Sequence, residues 1–224
     1  MNMNMNMKMK TVAGMLAVRD ADTRAQLAHC AGDQIHVREA PLQLVWLADL
    51  ARLRHVAAQL GRPSAGLDYT ELFLTAVIDA ALAAQNAAAA AESLGLGTVY
   101  IGGMRNQPEQ VATLLGLPSE VFAVFGMCVG RPDPTKPAAV KPRPAQSVVL
   151  HHERYRQAPL DAGIEAYNQA MARFYEAQQM KVHGTWDVHS AKRIAGPESL
   201  SGRDRLERLR SEEHTSELQS RQYL

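Results

Sequence analysis

Two stretches of the chain carry residue types at spacings that could do chemistry. The first is VYIGGMRN, residues 99–106. Thr98 to Ile101 is a short apolar run that reads as a strand, and it leads into Gly102 and Gly103 and then a polar turn. Glycine has no Cβ, so its backbone can lie against a flat ligand and aim an N–H at it. A plain turn would use the same pair, and the pattern alone leaves both readings open. The second stretch is Lys141-Pro142-Arg143-Pro144. Prolines at alternate positions hold a chain extended, and residues i and i+2 of an extended chain share a side. Lys141 and Arg143 would then present a point charge and a fork together, as a phosphate clamp does. A solvated basic loop is the alternative.

The other reactive residues form no constellation. There is no GxGxxG, GxxxxGK[ST], HExxH or GxSxG. His151 and His152 are adjacent, so on a strand they would point to opposite faces. His183 and His189 have no supporting ligands nearby. Cys30 and Cys128 lie far apart without a CxxC, which argues against a disulfide framework or a zinc site and suits a reducing cytoplasm. Cys128 falls inside an apolar run, where an inert core thiol is expected. No metal site and no nucleophilic side chain is predicted.

The elements that must position these residues follow from hydrophobic pattern and punctuation. Asp20 to Gly32 reads as a short helix with an acidic start and a glycine stop. LQLVWLAD after Pro41 is a continuous apolar run, as expected of a strand buried on both faces. Asp49 is placed to cap a helix over 50–60, which Gly61 and Pro63 end. Thr70 opens a long helix to about Leu94, apolar nearly all round, which belongs in a core or a subunit interface. Asn106 with Glu109 three residues on suggests a capping box for a helix over 107–115, stopped by Gly116. VFAVFGMCVG, 121–130, reads as a second buried strand. A proline-rich segment follows, then helices over 161–180 and 188–194. Helices interleaved with apolar strands imply an α/β or α+β class.

Bulk properties agree with one soluble domain. The 224 residues are 46% apolar and 21% charged with a net charge of +1, which offers no electrostatic case for nucleic acid or an anionic membrane. MNMNMNMKMK has no apolar core of a signal peptide. The most apolar stretch, 72–91, is mostly alanine and contains Asp79, Gln85 and Asn86, unlike a membrane span.

The two ends read as foreign to the domain. Residues 1–10 have no packing pattern and no caps, and are expected to be a low-complexity, non-native start. RSEEHTSELQS, 210–220, is similar to a one-frame translation of a common sequencing-library adapter, so 210–224 are expected to carry no evolved function. The domain proper is then 11–209, truncated at both ends.

The order of motifs supplies a resemblance. AQNAAAAAESLGLGTVYIGGMRNQPEQVATLLGLP, then VFAVFGMCVGRP, then KPRP, then HHERY resembles the oxygen-insensitive NADPH nitroreductase and NADPH-flavin oxidoreductase group of the FMN-dependent nitroreductase family. The likeness runs from about Ala17 to Trp186.

The resemblance implies an α+β fold: a mixed sheet flanked by helices, with the long helix 71–94 as a central dimer-interface helix. It implies a cytoplasmic homodimer with FMN at the subunit interface. Electrons would pass from NADPH or NADH through the flavin to nitroaromatics, quinones or free flavins by ping-pong turnover. At matched positions Tyr100, Ile101, Gly102 and Gly103 would form the flavin-facing loop, and Lys141 and Arg143 the phosphate clamp. Three family features have no counterpart. The H-R-S-x-R helix and the Ser-rich loop are missing. Where a ring-contacting glutamine is expected the chain has roughly Thr11. KVHGTW offers only Lys181 and His183 for the extra phosphate of NADPH, which leaves the choice of nicotinamide cofactor open. The alternative is a truncated α/β dimerisation or binding module that no longer retains FMN.

Overall fold

The computed structural model describes residues 12–135 and 139–206. The expected non-native start at 1–10, Thr11, and the adapter-like 210–224 lie outside those residues. The described residues divide into two compact units, one of 12–132 with 201–206 and one of 133–135 with 139–200.

The first unit is built on one sheet. Its strands are β1 (Ala13–Val18), β2 (Leu42–Asp49), β3 (Gly97–Ile101) and β4 (Val121–Gly130), in the order β1-β2-β4-β3. Between them run α1 (Ala21–Cys30), α2 (Ile35–Glu39), α3 (Ala51–Gln59), α4 (Thr70–Ser93) and α5 (Pro108–Leu115). The class is α+β, as expected. Every strand pairing among the described residues is antiparallel, where a mixed sheet was expected. The continuous apolar runs of β2 and β4 had suggested strands covered on both faces. They are so covered, and burial on both faces does not dictate strand direction.

Both faces of the sheet are packed. Along β2, Val45 and Leu47 point to one cluster with Leu27, Val37, Ile101, Met104 and Val111. Trp46 and Ala48 point to the other, with Ala76, Ala80, Ala84 and Ala88 of α4. This is the period of two expected of a strand. The four alanines recur every fourth residue, so one flank of α4 lies flush on the sheet. The opposite flank leaves Leu74, Ile78 and Leu82 exposed. By length and composition α4 could also cross a membrane. Its polar residues have other uses: Asp79 accepts from the Val12 N–H at 3.3 Å, and Gln85 accepts from the Tyr100 hydroxyl at 3.5 Å.

Capping residues fix the helix ends, with one correction. Asp20 caps α1 by accepting from Thr23 N at 2.8 Å. Asp49, expected as the cap of α3, lies one residue before its Leu50 N-cap and accepts from Arg52 N at 3.1 Å. Arg54 of α3 then ties the helix to Glu120, Asp68 and Ser64. Asn106 does not cap α5, whose N-terminus has no side-chain cap. Its side-chain oxygen accepts instead from Arg203 Nε at 2.9 Å, and its carbonyl from Arg205 Nη2 at 3.2 Å. A charge-assisted partner distant in sequence has outcompeted the local cap. Gly116, left-handed at φ 61, ends α5.

The second unit contains α6 (Gln146–Val149), α7 (Leu160–Ala177) and α8 (Trp186–Lys192). Tyr167 of α7 stacks edge-on against Trp186 of α8 at 5.0 Å. Asn168 accepts from the Asp187 N–H at 3.2 Å, which fixes the start of α8.

Candidate functional site

Tyr100, Ile101, Gly102 and Gly103 end β3 and enter a turn of 3-10 helix, Gly102–Arg105. Pairing of Ile101 with Gly126 of β4 anchors the strand end. Side-chain alternation sends Ile101 into the α1/α5 core, where it is 1% exposed, and it can offer a ligand only its backbone. Tyr100 points the other way. Its ring meets Phe125 edge-on at 5.5 Å, and its hydroxyl reaches Gln85 of α4. Desolvation, with the nearby Glu92 charge second, pushes the Tyr100 phenol upward, so it stays protonated at neutral pH.

The two glycines differ. A Cβ on Gly103 would lie 2.7 Å from the Ala31 carbonyl oxygen and 3.0 Å from Ala31 Cα. Gly103 is therefore glycine because the end of α1 packs against it. A Cβ on Gly102 would meet only Arg105 Nη2, at the ordinary contact distance of 3.6 Å. Nothing in the packing of the described residues requires glycine at position 102.

Beside Gly102 stands Arg105, which the sequence reading passed over as part of a polar turn. Its half-buried guanidinium donates to the Val124 carbonyl of β4. It makes no ion pair among the described residues. Burial, and secondly the charge of Arg203, hold its pKa below the usual arginine value. The R-N turn names the residue but not its burial, since its partner is a backbone carbonyl on another strand.

Lys141 and Arg143 lie in the second unit, so the loop and the cation pair are described separately. Lys141 and Arg143 are exposed while Pro142 and Pro144 are half-buried, the alternation expected of an extended segment. The Tyr167 hydroxyl donates to the Pro142 carbonyl at 3.1 Å and holds the segment on α7. Arg143 Nη1 donates to the Lys141 carbonyl at 3.3 Å. Neither side chain has a carboxylate partner among the described residues.

His151 and His152 are not on a strand. They line a pocket of the second unit with Ser147, Leu150 and Arg156, and no cluster of metal-ligating residues occurs among the described residues. Cys30 and Cys128 are free and buried. Burial pushes the Cys128 thiol up to about 11 and raises Cys30 as well, so both are inert core thiols. A folded pKa raised above the ordinary thiol value of about 8.5 gives stability that is complete below that value and lost as pH rises toward 11. The unaltered chain should lose about 2–3 kcal/mol more than Cys128→Ala between pH 8 and pH 11. Parallel denaturant titrations at the two pH values would measure it; identical pH slopes would count against a buried neutral thiol.

Known proteins match across both units. The nitroreductase family profile covers residues 8–131, and the profile of that family's C-terminal domain covers 141–213. The NADPH-flavin oxidoreductase of Vibrio harveyi is 39% identical over 189 residues, 84% of this chain and 75% of the relative. The oxygen-insensitive NADPH nitroreductase of Salmonella typhimurium is 37% identical over 179 residues, 79% of this chain and 71% of the relative. The solved NADPH:FMN oxidoreductase of Vibrio harveyi in complex with NAD+ superposes with a TM-score of 0.76 at 37% identity, covering 90% of this chain and 79% of that one. The family profile over residues 8–131 and relatives at 37–39% identity show that the chain belongs to the nitroreductase family.

Proposed function

We propose that the chain is an FMN-dependent NAD(P)H oxidoreductase whose flavin-facing loop is Tyr100–Gly103 and whose phosphate clamp is Lys141 with Arg143. The observation that carries this reading is the family match across both units, with relatives named as NADPH-flavin oxidoreductase and NADPH nitroreductase. The alternative of a binding module without flavin has no comparable support. When bound, FMN supplies the redox chemistry, accepting a hydride from NADPH or NADH and passing electrons to a small acceptor such as a nitroaromatic, a quinone or free flavin.

The residues present suit that cofactor. A Cβ on Gly102 would meet only Arg105 Nη2 among the described residues, at 3.6 Å, so the backbone there has room for a ligand. That backbone can lie against a flat ring and direct an N–H toward it. Two exposed cations on one side of a proline-stiffened segment suit a phosphate. Tyr100 holds the strand end through Phe125 and Gln85. None of these residues needs to act as a nucleophile. The exposed stripe Leu74, Ile78 and Leu82 on α4 suits a second copy of the chain, and we read the working form as a cytoplasmic homodimer. The domain is taken as 11–209, with 1–10 and 210–224 outside it.

Size-exclusion chromatography with added FMN tests this reading. A yellow dimer is expected; a colourless protein that leaves flavin fluorescence unquenched overturns it. Gly102→Ala sharpens the test. Its Cβ has room in the chain, so melting should be unchanged while the Kd for FMN rises about tenfold. Unchanged affinity would remove Gly102 from the site.

A further inference from the structure

Arg105 is an expensive residue to keep where it is. Its guanidinium is half-buried and always protonated. It donates to one neutral carbonyl, that of Val124, and has no carboxylate partner among the described residues. Its charged neighbour, Arg203, is of the same sign. Burying a charge without a counterion is unfavourable, and the bond to Val124 could be made by any neutral amide. The position gives a reason for the charge. Arg105 Nη2 lies 3.6 Å from where a Cβ of Gly102 would be, on the loop assigned above to the flavin ring.

We propose that Arg105 is a positioning charge behind the flavin-facing loop, one that favours the reduced, anionic form of the bound flavin over the oxidised form. This rests on the flavin reading of the Gly102 loop. In the half-reaction a hydride, two electrons with one proton, leaves NAD(P)H as NAD(P)+ and adds to oxidised FMN. The isoalloxazine thereby gains one negative charge. A fixed guanidinium near the ring stabilises the product of that step more than the reactant. Oxidised ring binding, which creates no new charge there, is left nearly unaffected. Gly102 supplies closeness and Arg105 supplies sign.

The test compares FMN-loaded wild type, R105Q, R105M and R105K by dye-equilibrated redox titration, with oxidised FMN affinity measured by fluorescence quenching. Glutamine can still donate to the Val124 carbonyl, so R105Q removes charge and keeps the tether; R105M provides the same comparison if R105Q does not fold. Neutral variants should bind oxidised FMN within about threefold of wild type. Their preference for reduced flavin should fall about tenfold, the order of one neighbouring charge, seen as a midpoint more negative by ~30 mV for a two-electron couple. R105K should keep most of the wild-type potential. Bound FMN with an unchanged potential in the neutral variants overturns the proposal alone. A wild-type chain that binds no FMN overturns the flavin reading and this proposal together.

Discussion

Replacing both Lys141 and Arg143 with glutamate is expected to raise the Kd for FMN by about 10²- to 10⁴-fold. Each charge-assisted hydrogen bond to a phosphate contributes roughly 1.5–3 kcal/mol, so two lost together cost about 3–6 kcal/mol, and each 1.4 kcal/mol is tenfold. Reversed charges add repulsion on top. The fold should not suffer. Both side chains are exposed, and among the described residues their hydrogen bonds are those from Arg143 to the carbonyls of Lys141 and Pro142 within the same segment. The Tyr167 hydroxyl bonds to the Pro142 carbonyl, not to either cation. A fluorescence-quenching titration beside a thermal melt separates the two effects. Unchanged affinity with unchanged melting would place the phosphate on other residues.

Gly103→Val is expected to act in the opposite way, through stability. The Cβ alone would lie 2.7 Å from the Ala31 carbonyl oxygen and 3.0 Å from both Ala31 Cα and Cβ. Ala31 cannot retreat freely. Its N–H closes α1 by donating to Leu27 and Ala28, and its carbonyl accepts from Gln34 Nε2 at 3.0 Å. Overpacking against rigid backbone costs about 1–3 kcal/mol for an extra methyl group or two, and valine here belongs at the upper end. Net stabilities are about 5–15 kcal/mol, so a fall of about 3 kcal/mol in a denaturant titration is a large share. FMN binding should weaken with it, since α1 and the loop must part. A variant as stable as wild type would show that the loop moves independently of α1. The pair Gly102→Ala and Gly103→Val thus divides one glycine dipeptide into a residue facing outward and a residue packed inward.

The sequence made much of this architecture legible, for identifiable reasons. Strands 42–49 and 121–130 announced themselves as unbroken apolar runs because both faces of the sheet are covered. The long helix was marked by its alanines, and its limits, Thr70 and Ser93, fall within a residue of the expected ones. What stayed hidden depends on contacts distant in the chain. β1 went unpredicted: AGMLAV is a short edge strand with Met15 exposed, so it shows neither clean alternation nor an unbroken buried run. Its place is set by pairing with β2. The capping box at Asn106 was a sound local pattern, defeated by Arg203, 97 residues away. The packing of Ala31 against Gly103, a second demand for glycine there, depends on the end of α1 and was beyond the sequence. Arg105 was legible only as part of the R-N turn, because its burial against the Val124 carbonyl depends on another strand.

The most direct test of the central claim is anaerobic. The chain is loaded with FMN, freed of excess by gel filtration, and mixed with NADPH or NADH while the visible spectrum is recorded. The flavin absorbance should bleach with one nicotinamide per flavin and return when a quinone or nitroaromatic is added. Bound flavin that keeps its oxidised spectrum with either nicotinamide would contradict the account.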